Sequence, residues 1–216
     1  MRNIIVAGTG TDVGKTVVSA ILLQMFEADY WKPVSCGPNE DRDSIKIKQL
    51  VDIPNFCCHP EAYHFFSPES PHHAAAIESI EPLSSKLKLP SSSRTIIIES
   101  AGGILVPLNN KELLSDVFCN WDCDWVLVSR NQLGSINHTL LSYETLVRRK
   151  VNIIGVVFNG VQNSYTEKFI TDYTGLSVLG RVDEESNMNN EVIMRYSEKW
   201  KKQNYWKERL YKSQKI

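Results

Sequence analysis

The stretch Gly8-Thr9-Gly10-Thr11-Asp12-Val13-Gly14-Lys15-Thr16 decides the fold. It follows an apolar run at residues 3–7 and opens a pattern, Lys15–Phe26, whose apolar residues recur at helical spacing. A strand, a glycine-rich turn and a helix start, in that order, form an anion site. Glycines let the backbone wrap close to a phosphate, and free N–H groups at the helix start supply positive potential. In such a turn Lys15 reaches the β- and γ-phosphates and the Thr16 hydroxyl faces Mg2+. Five residues separate Gly8 from Gly14, one more than in the usual Gly-x4-Gly-Lys-Thr, which marks a subclass.

Working outward, further β-branched or aromatic runs occur at residues 30–34, 95–98, 125–128, 153–158 and, more weakly, 177–179. Helical patterns lie between them at residues 45–51, 136–147 and 165–173, the second ending in Arg148-Arg149-Lys150 and the third followed by Gly175. Strands that are apolar on both faces and alternate with helices predict a mostly parallel sheet covered on both sides. The serine-rich patch at residues 84–93 reads as a loop. No repeat or linker divides the chain, so residues 1–216 read as one α/β domain with a basic, aromatic helical segment at about 186–216.

The 216 residues are 42% hydrophobic and 23% charged, with a net charge of −1. That balance argues against a nucleic-acid binder and against an acidic disordered chain. From Arg195 onward, however, eight Lys/Arg stand against two Glu. In isolation this tail invites a nucleic-acid or membrane-surface reading. The preferred reading is a terminal helix that packs Trp200, Tyr205, Trp206 and Tyr211 on the body and solvates Lys199, Lys201, Lys202, Lys207 and Arg209. The first apolar run is too short for a secretory core, and no stretch approaches a membrane span, so a soluble cytoplasmic protein is expected. Five cysteines, Cys36, Cys57, Cys58, Cys119 and Cys123, read as free thiols. Cys57-Cys58-His59 with Cys119 and Cys123 follows no common zinc spacing.

Glu99 ends the run at 95–98, where nucleotide hydrolases hold Mg2+ or its water, and Gly102-Gly103 allow close backbone approach. Asp43, in Glu40-Asp41-Arg42-Asp43-Ser44, is a second acidic candidate.

Together these residues resemble one family, the dethiobiotin synthetases. Besides residues 8–16, the matches are Lys32-Pro33-Val34, Ser70-Pro71-His72 before Ala74-Ala75-Ala76, Glu99-Ser100-Ala101-Gly102-Gly103 and Val157-Phe158-Asn159. The most specific is Leu133-Gly134-Ser135-Ile136-Asn137-His138-Thr139-Leu140-Leu141. They run in order from residue 3 to about 181. The resemblance implies a P-loop NTPase fold and an ATP-dependent ring closure. The substrates would be 7,8-diaminononanoate, CO2 and ATP, the cofactor Mg2+, and the assembly a homodimer with shared active sites. It implies ATP contacts at Asp12, Val13, Gly14, Lys15, Thr16, Val17, Asp43, Glu99, Ser100, Ala101, Gly102, Asn159 and Gly160. Substrate contacts would be Thr11, Lys32, Cys36, Ser135, Ile136 and Asn137, with Thr16, Asp43 and Glu99 on the metal and Lys15 and Lys32 as catalytic charges.

The chain departs from the family at four places. Cys36 stands for a serine, Ser100 for a glycine, Gly160 for an aspartate, and Val182-Asp183-Glu184 for Ile-Pro. Two alternatives stay open: a partitioning-type ATPase of the same fold, and a small-molecule kinase. The first usually carries a second lysine early in the loop, and residues 8–12 have none.

Overall fold

The computed structural model describes residues 2–206. Its elements run β1 (Asn3–Gly8), α1 (Lys15–Phe26), β2 (Asp29–Trp31), β3 (Val34–Cys36), α2 (Asp43–Leu50), β4 (Cys58–His59), β5 (Tyr63–Phe65), α3 (Pro71–Ile77) and β6 (Ile96–Glu99). Then follow α4 (Leu114–Phe118), β7 (Cys123–Arg130), α5 (Ser135–Arg148), β8 (Asn152–Asn159), α6 (Ser164–Thr174), β9 (Val178–Val182) and α7 (Asn190–Lys201). Seven strands form one sheet in the order β4-β2-β6-β1-β7-β8-β9, and every neighbouring pair is parallel.

The sheet's two faces build two cores, because side chains alternate along a strand. On β1, Ile4 and Val6 join one core and Ile5 and Ala7 the other. The first core takes α1 through Val18, Ile21 and Leu22, and α7 through Ile193, Tyr196 and Trp200. The second takes Trp125 and Leu127 of β7, Phe118 of α4 and Leu146 of α5. Helix α1 is buried nearly all round, as its unbroken apolar run Ala20-Ile21-Leu22-Leu23 requires.

The run at residues 30–34 is not one strand. β2 stops at Trp31, and β3 restarts at Val34 in a separate two-stranded parallel sheet with β5. Pro33 has no N–H for a ladder and fixes its own φ, so the chain leaves the main sheet there. Lys32 therefore sits just beyond the end of β2. Within the serine-rich patch, residues Ser84–Lys86 form a 3-10 turn.

The described part of the tail packs aromatic side chains on the body. Helix α7 is capped by the Asn189 side chain, which accepts from the Val192 N–H. Trp200 is fully buried against β9, where a Cβ on Gly180 would lie 2.2 Å from the indole. Trp206 is also buried, donates from Nε1 to the Leu179 carbonyl at 2.6 Å, and meets Phe26 edge-on at 5.6 Å. Tyr205 packs partly buried against the same core. Lys207, Arg209 and Tyr211 lie outside the described residues. No helix among the described residues is long and apolar enough to cross a membrane.

Candidate active site

Parallel strands end together, and the chemistry-bearing residues collect at that edge. Gly8, Glu99, Arg130, Asn159 and Val182 close β1, β6, β7, β8 and β9. This is the edge, beside the central strand, where open α/β sheets take ligands. The glycine-rich turn leaves β1, with Thr9 N–H bonded to the Val128 carbonyl at 3.0 Å. Asp12 (φ 55°) and Gly14 (φ 97°) adopt left-handed backbone conformations before α1 starts at Lys15. The Lys15 ammonium folds back to the Gly10 carbonyl at 2.8 Å. Burial lowers its pKa to about 8, with Glu99 opposing the shift. Gly103 lies against Gly10, and a Cβ on Gly102 would come 3.8 Å from Thr11 Oγ1, so the turn after Glu99 packs on the phosphate loop.

Beside the loop lies a cluster of buried charge. The Thr16 hydroxyl is 2.9 Å from Asp43 Oδ1 and 3.0 Å from Glu99 Oε1. The Lys32 ammonium donates to Glu99 Oε1 at 3.0 Å and also to Asp43 Oδ2. Lys32 is only 8% and Glu99 1% exposed, so neither is a solvated surface charge. Burial alone would lower the Lys32 pKa, but Glu99 and Asp43 outweigh it and hold the ammonium above its ordinary value. For Asp43, burial pushes the carboxyl up, but Lys32 and the Thr16 hydrogen bond bring it below the usual range.

Three supports of this cluster were not read from the sequence. Buried Tyr30 donates its hydroxyl to Glu99 Oε2 at 3.0 Å. Burial first, and Glu99 second, keep that phenol protonated well above its ordinary range. Glu61 accepts from Arg42 and from Ser44 Oγ (2.9 Å), gripping both chain neighbours of Asp43. Arg130 reaches the Asp12 carbonyl from the end of β7 at 3.4 Å. These links span 69, 17 to 19 and 118 residues, and no local motif signals them.

The other expected residues are spread around this cluster and beyond it. Asn159 lies against the loop, donating from Nδ2 to the Val13 carbonyl at 2.9 Å. Gly160 follows it, with its N–H on the Val182 carbonyl at 2.9 Å and its carbonyl on Arg181. Cys36 is half-buried on β3, its thiol pushed up to about 11 by burial. Ser100 is buried with an unpartnered hydroxyl, and Val17 packs partly into the first core. Ser135, Ile136 and Asn137 line a separate cavity of about 870 Å3, bounded also by Leu133, Val161 and Phe169. Among the described residues, no hydrogen bond joins this helix start to Lys15, Lys32, Asp43 or Glu99. The five cysteines are free, and no group of three or more His, Cys, Asp or Glu among the described residues is placed to hold a metal ion.

A family described as an AAA domain matches residues 2–192. The chain is 41% identical over 201 residues to the ATP-dependent dethiobiotin synthetase BioD of Chlamydia pneumoniae, covering 93% of this chain and 90% of that one. It is 42% identical over 201 residues to the protein of the same name from Christiangramia forsetii, covering 93% and 97%. The chain belongs to the dethiobiotin synthetase family. Among solved structures it is similar to the cell division ATPase MinD of Pyrococcus furiosus, with a TM-score of 0.58 at 14% identity over 94% of this chain and 99% of that one. A ParA family ATPase from Chlorobium tepidum gives a TM-score of 0.56 at 11% identity, covering 91% and 97%. At such identities the partitioning-type ATPases share the fold alone. Family membership and the P-loop fold therefore agree with the ordered matches from residue 3 to about 181.

Proposed function

We propose that this ATP-dependent synthetase closes the ureido ring of dethiobiotin from 7,8-diaminononanoate and CO2, releasing ADP and phosphate. The observation that carries the reading is the Lys32 ammonium, buried between Asp43 and Glu99 beside the phosphate loop. In a chain of this family, that is a fixed positive charge at the place where two anions must meet.

One substrate amine adds to CO2, giving a carbamate and releasing a proton. A carbamate oxygen then attacks the γ-phosphorus, and the bond to the ADP oxygen breaks. The second amine attacks the carbonyl of this anhydride and expels phosphate. No protein nucleophile is needed; positioning and charge neutralisation supply the acceleration. Lys15 covers the phosphates from the loop, and Lys32 orients the carbamate. Asp12, Val13, Gly14, Thr16 and Val17 form the loop's ATP contacts. Ser100, Ala101 and Gly102 adjoin them, and Asn159 and Gly160 lie toward the base. Thr11 and Cys36 face the diamine.

Thr16, Asp43 and Glu99 would hold Mg2+. Their donors are all oxygen, two of them carboxylate, which suits a hard cation shared with phosphates. Bound there, Mg2+ supplies neutralisation of phosphate charge. Its charge would add to those of Lys15 and Lys32, which Asp43 and Glu99 partly offset.

We also propose a homodimer in which the start of α5, Ser135-Ile136-Asn137, serves the partner's site. Its separation from the chain's own charged cluster supports this, as does the fully exposed Leu133 beside it. A chain that stays monomeric while forming dethiobiotin would contradict the sharing.

The testing experiment measures phosphate release from ATP and Mg2+, with and without the diamine and bicarbonate. Release should require both and match dethiobiotin formed. Release indifferent to both additions would overturn the reading and favour a regulatory ATPase.

A further inference from the structure

The resemblance gives Asn159 to the base of the nucleotide, yet its side chain is engaged elsewhere. Its Nδ2 donates to the Val13 carbonyl, in the middle of the phosphate loop. A carbonyl only accepts, so this contact also fixes which end of the carboxamide faces the loop. The fit is close: a Cβ on Gly14 would lie 2.2 Å from Nδ2 and 3.0 Å from Cγ of Asn159. Gly14 thus serves the left-handed turn and also leaves room for this amide.

Peptide planarity gives the contact a consequence. Across one planar trans peptide, the carbonyl of Val13 and the N–H of Gly14 point in opposite directions. Holding the carbonyl outward on Asn159 turns the Gly14 N–H the other way. Arg130 does the same one peptide earlier, reaching the Asp12 carbonyl and so setting the Val13 N–H. The two anchors sit on neighbouring strand ends, where Arg130 and Asn159 are paired in register. Asn159 is held in turn: its carbonyl accepts from Asn131 N–H at 2.9 Å, and the next residue, Gly160, is fixed by Val182 and Arg181.

We infer that Asn159 is a positioning residue for the phosphate loop, presetting the N–H groups that receive the phosphates, in addition to any contact with the base. The inference rests on reading residues 8–16 as the nucleotide's phosphate site. It predicts that a ligand with phosphates and no base still depends on Asn159.

Tripolyphosphate with Mg2+ is the probe, measured as a competitive inhibitor against ATP in the full-length chain. Losing one hydrogen bond of this kind should weaken binding by roughly three- to tenfold. Asn159→Ala should weaken both tripolyphosphate and ATP by such a factor, with diamine KM unchanged and the melting temperature lowered by no more than a few degrees. A loss that also moved the diamine KM would indicate general disorder and count against the inference. If Asn159→Ala folds poorly, Asn159→Ser provides the same comparison with a smaller polar side chain. Unchanged tripolyphosphate inhibition, with ATP alone weakened, would overturn the inference and leave Asn159 a base reader only. A wild-type chain that fails to bind tripolyphosphate would instead overturn the phosphate-site reading, a distinguishable failure.

Discussion

Two regions of this molecule solve opposite problems. At the ends of β1, β2 and β6, the fold gathers three buried charges, Lys15, Lys32 and Glu99, with the half-buried Asp43. At the flank of β9, it buries apolar bulk, seating Trp200 on a glycine and Trp206 beside it. Desolvated charges gain little net stability even when paired, whereas desolvated indoles stabilise directly. The charged end is therefore expected to determine rate, and the aromatic flank to hold the sheet's last strand in place.

The sharpest way to break this contrast is at Trp200. Trp200→Ala should cost about 3–5 kcal/mol of stability, read by denaturant unfolding, because it opens a cavity in the core. Activity per folded molecule should stay near wild type; a proportional loss of kcat would tie the flank to the chemistry. Lys15→Ala should do the reverse. Its ammonium is held at an unfavourable, lowered pKa of about 8, so its removal should not reduce the melting temperature. Dethiobiotin formation should fall about 10²–10³-fold, the cost of losing a preorganised charge contact. A normal rate would remove Lys15 from the mechanism. Gly180→Ala tests how tightly the indole is seated. Its Cβ would meet Trp200 at 2.2 Å, so overpacking should cost about 1–3 kcal/mol without a change in KM. The smallest effect is expected at the cap of α7. Asn189→Ala removes the acceptor for Val192 N–H and should lower stability by about 1 kcal/mol.

What the sequence showed of these two regions differs for a physical reason. β1, the loop and α1 are legible because a doubly buried strand and a buried helix both need unbroken apolar runs, with Gly-Lys-Thr between them. β7 and β8 are legible on the same ground. β3, β4 and β5 are two or three residues long, too short to carry a period, and the break at Lys32-Pro33 was hidden inside one apolar run. At the site, Lys15, Thr16 and Glu99 stand out by their place after strands. Lys32 looks like a surface lysine until its burial is seen, and only the family resemblance singled it out. Tyr30, Glu61 and Arg130 act through contacts far along the chain, which neither pattern nor motif records. The aromatic tail was legible as an amphipathic helix, but its seat on Gly180 required the strand order.

The central claim is that a buried lysine between two carboxylates supplies the charge that brings carbamate and phosphate together. Its most direct test is dethiobiotin formation by Lys32→Ala at saturating ATP, diamine and bicarbonate, corrected for the folded fraction. The account predicts a loss of roughly a hundredfold or more, with ATP still bound. A rate within about twofold of wild type, less than 0.5 kcal/mol in barrier, would contradict it.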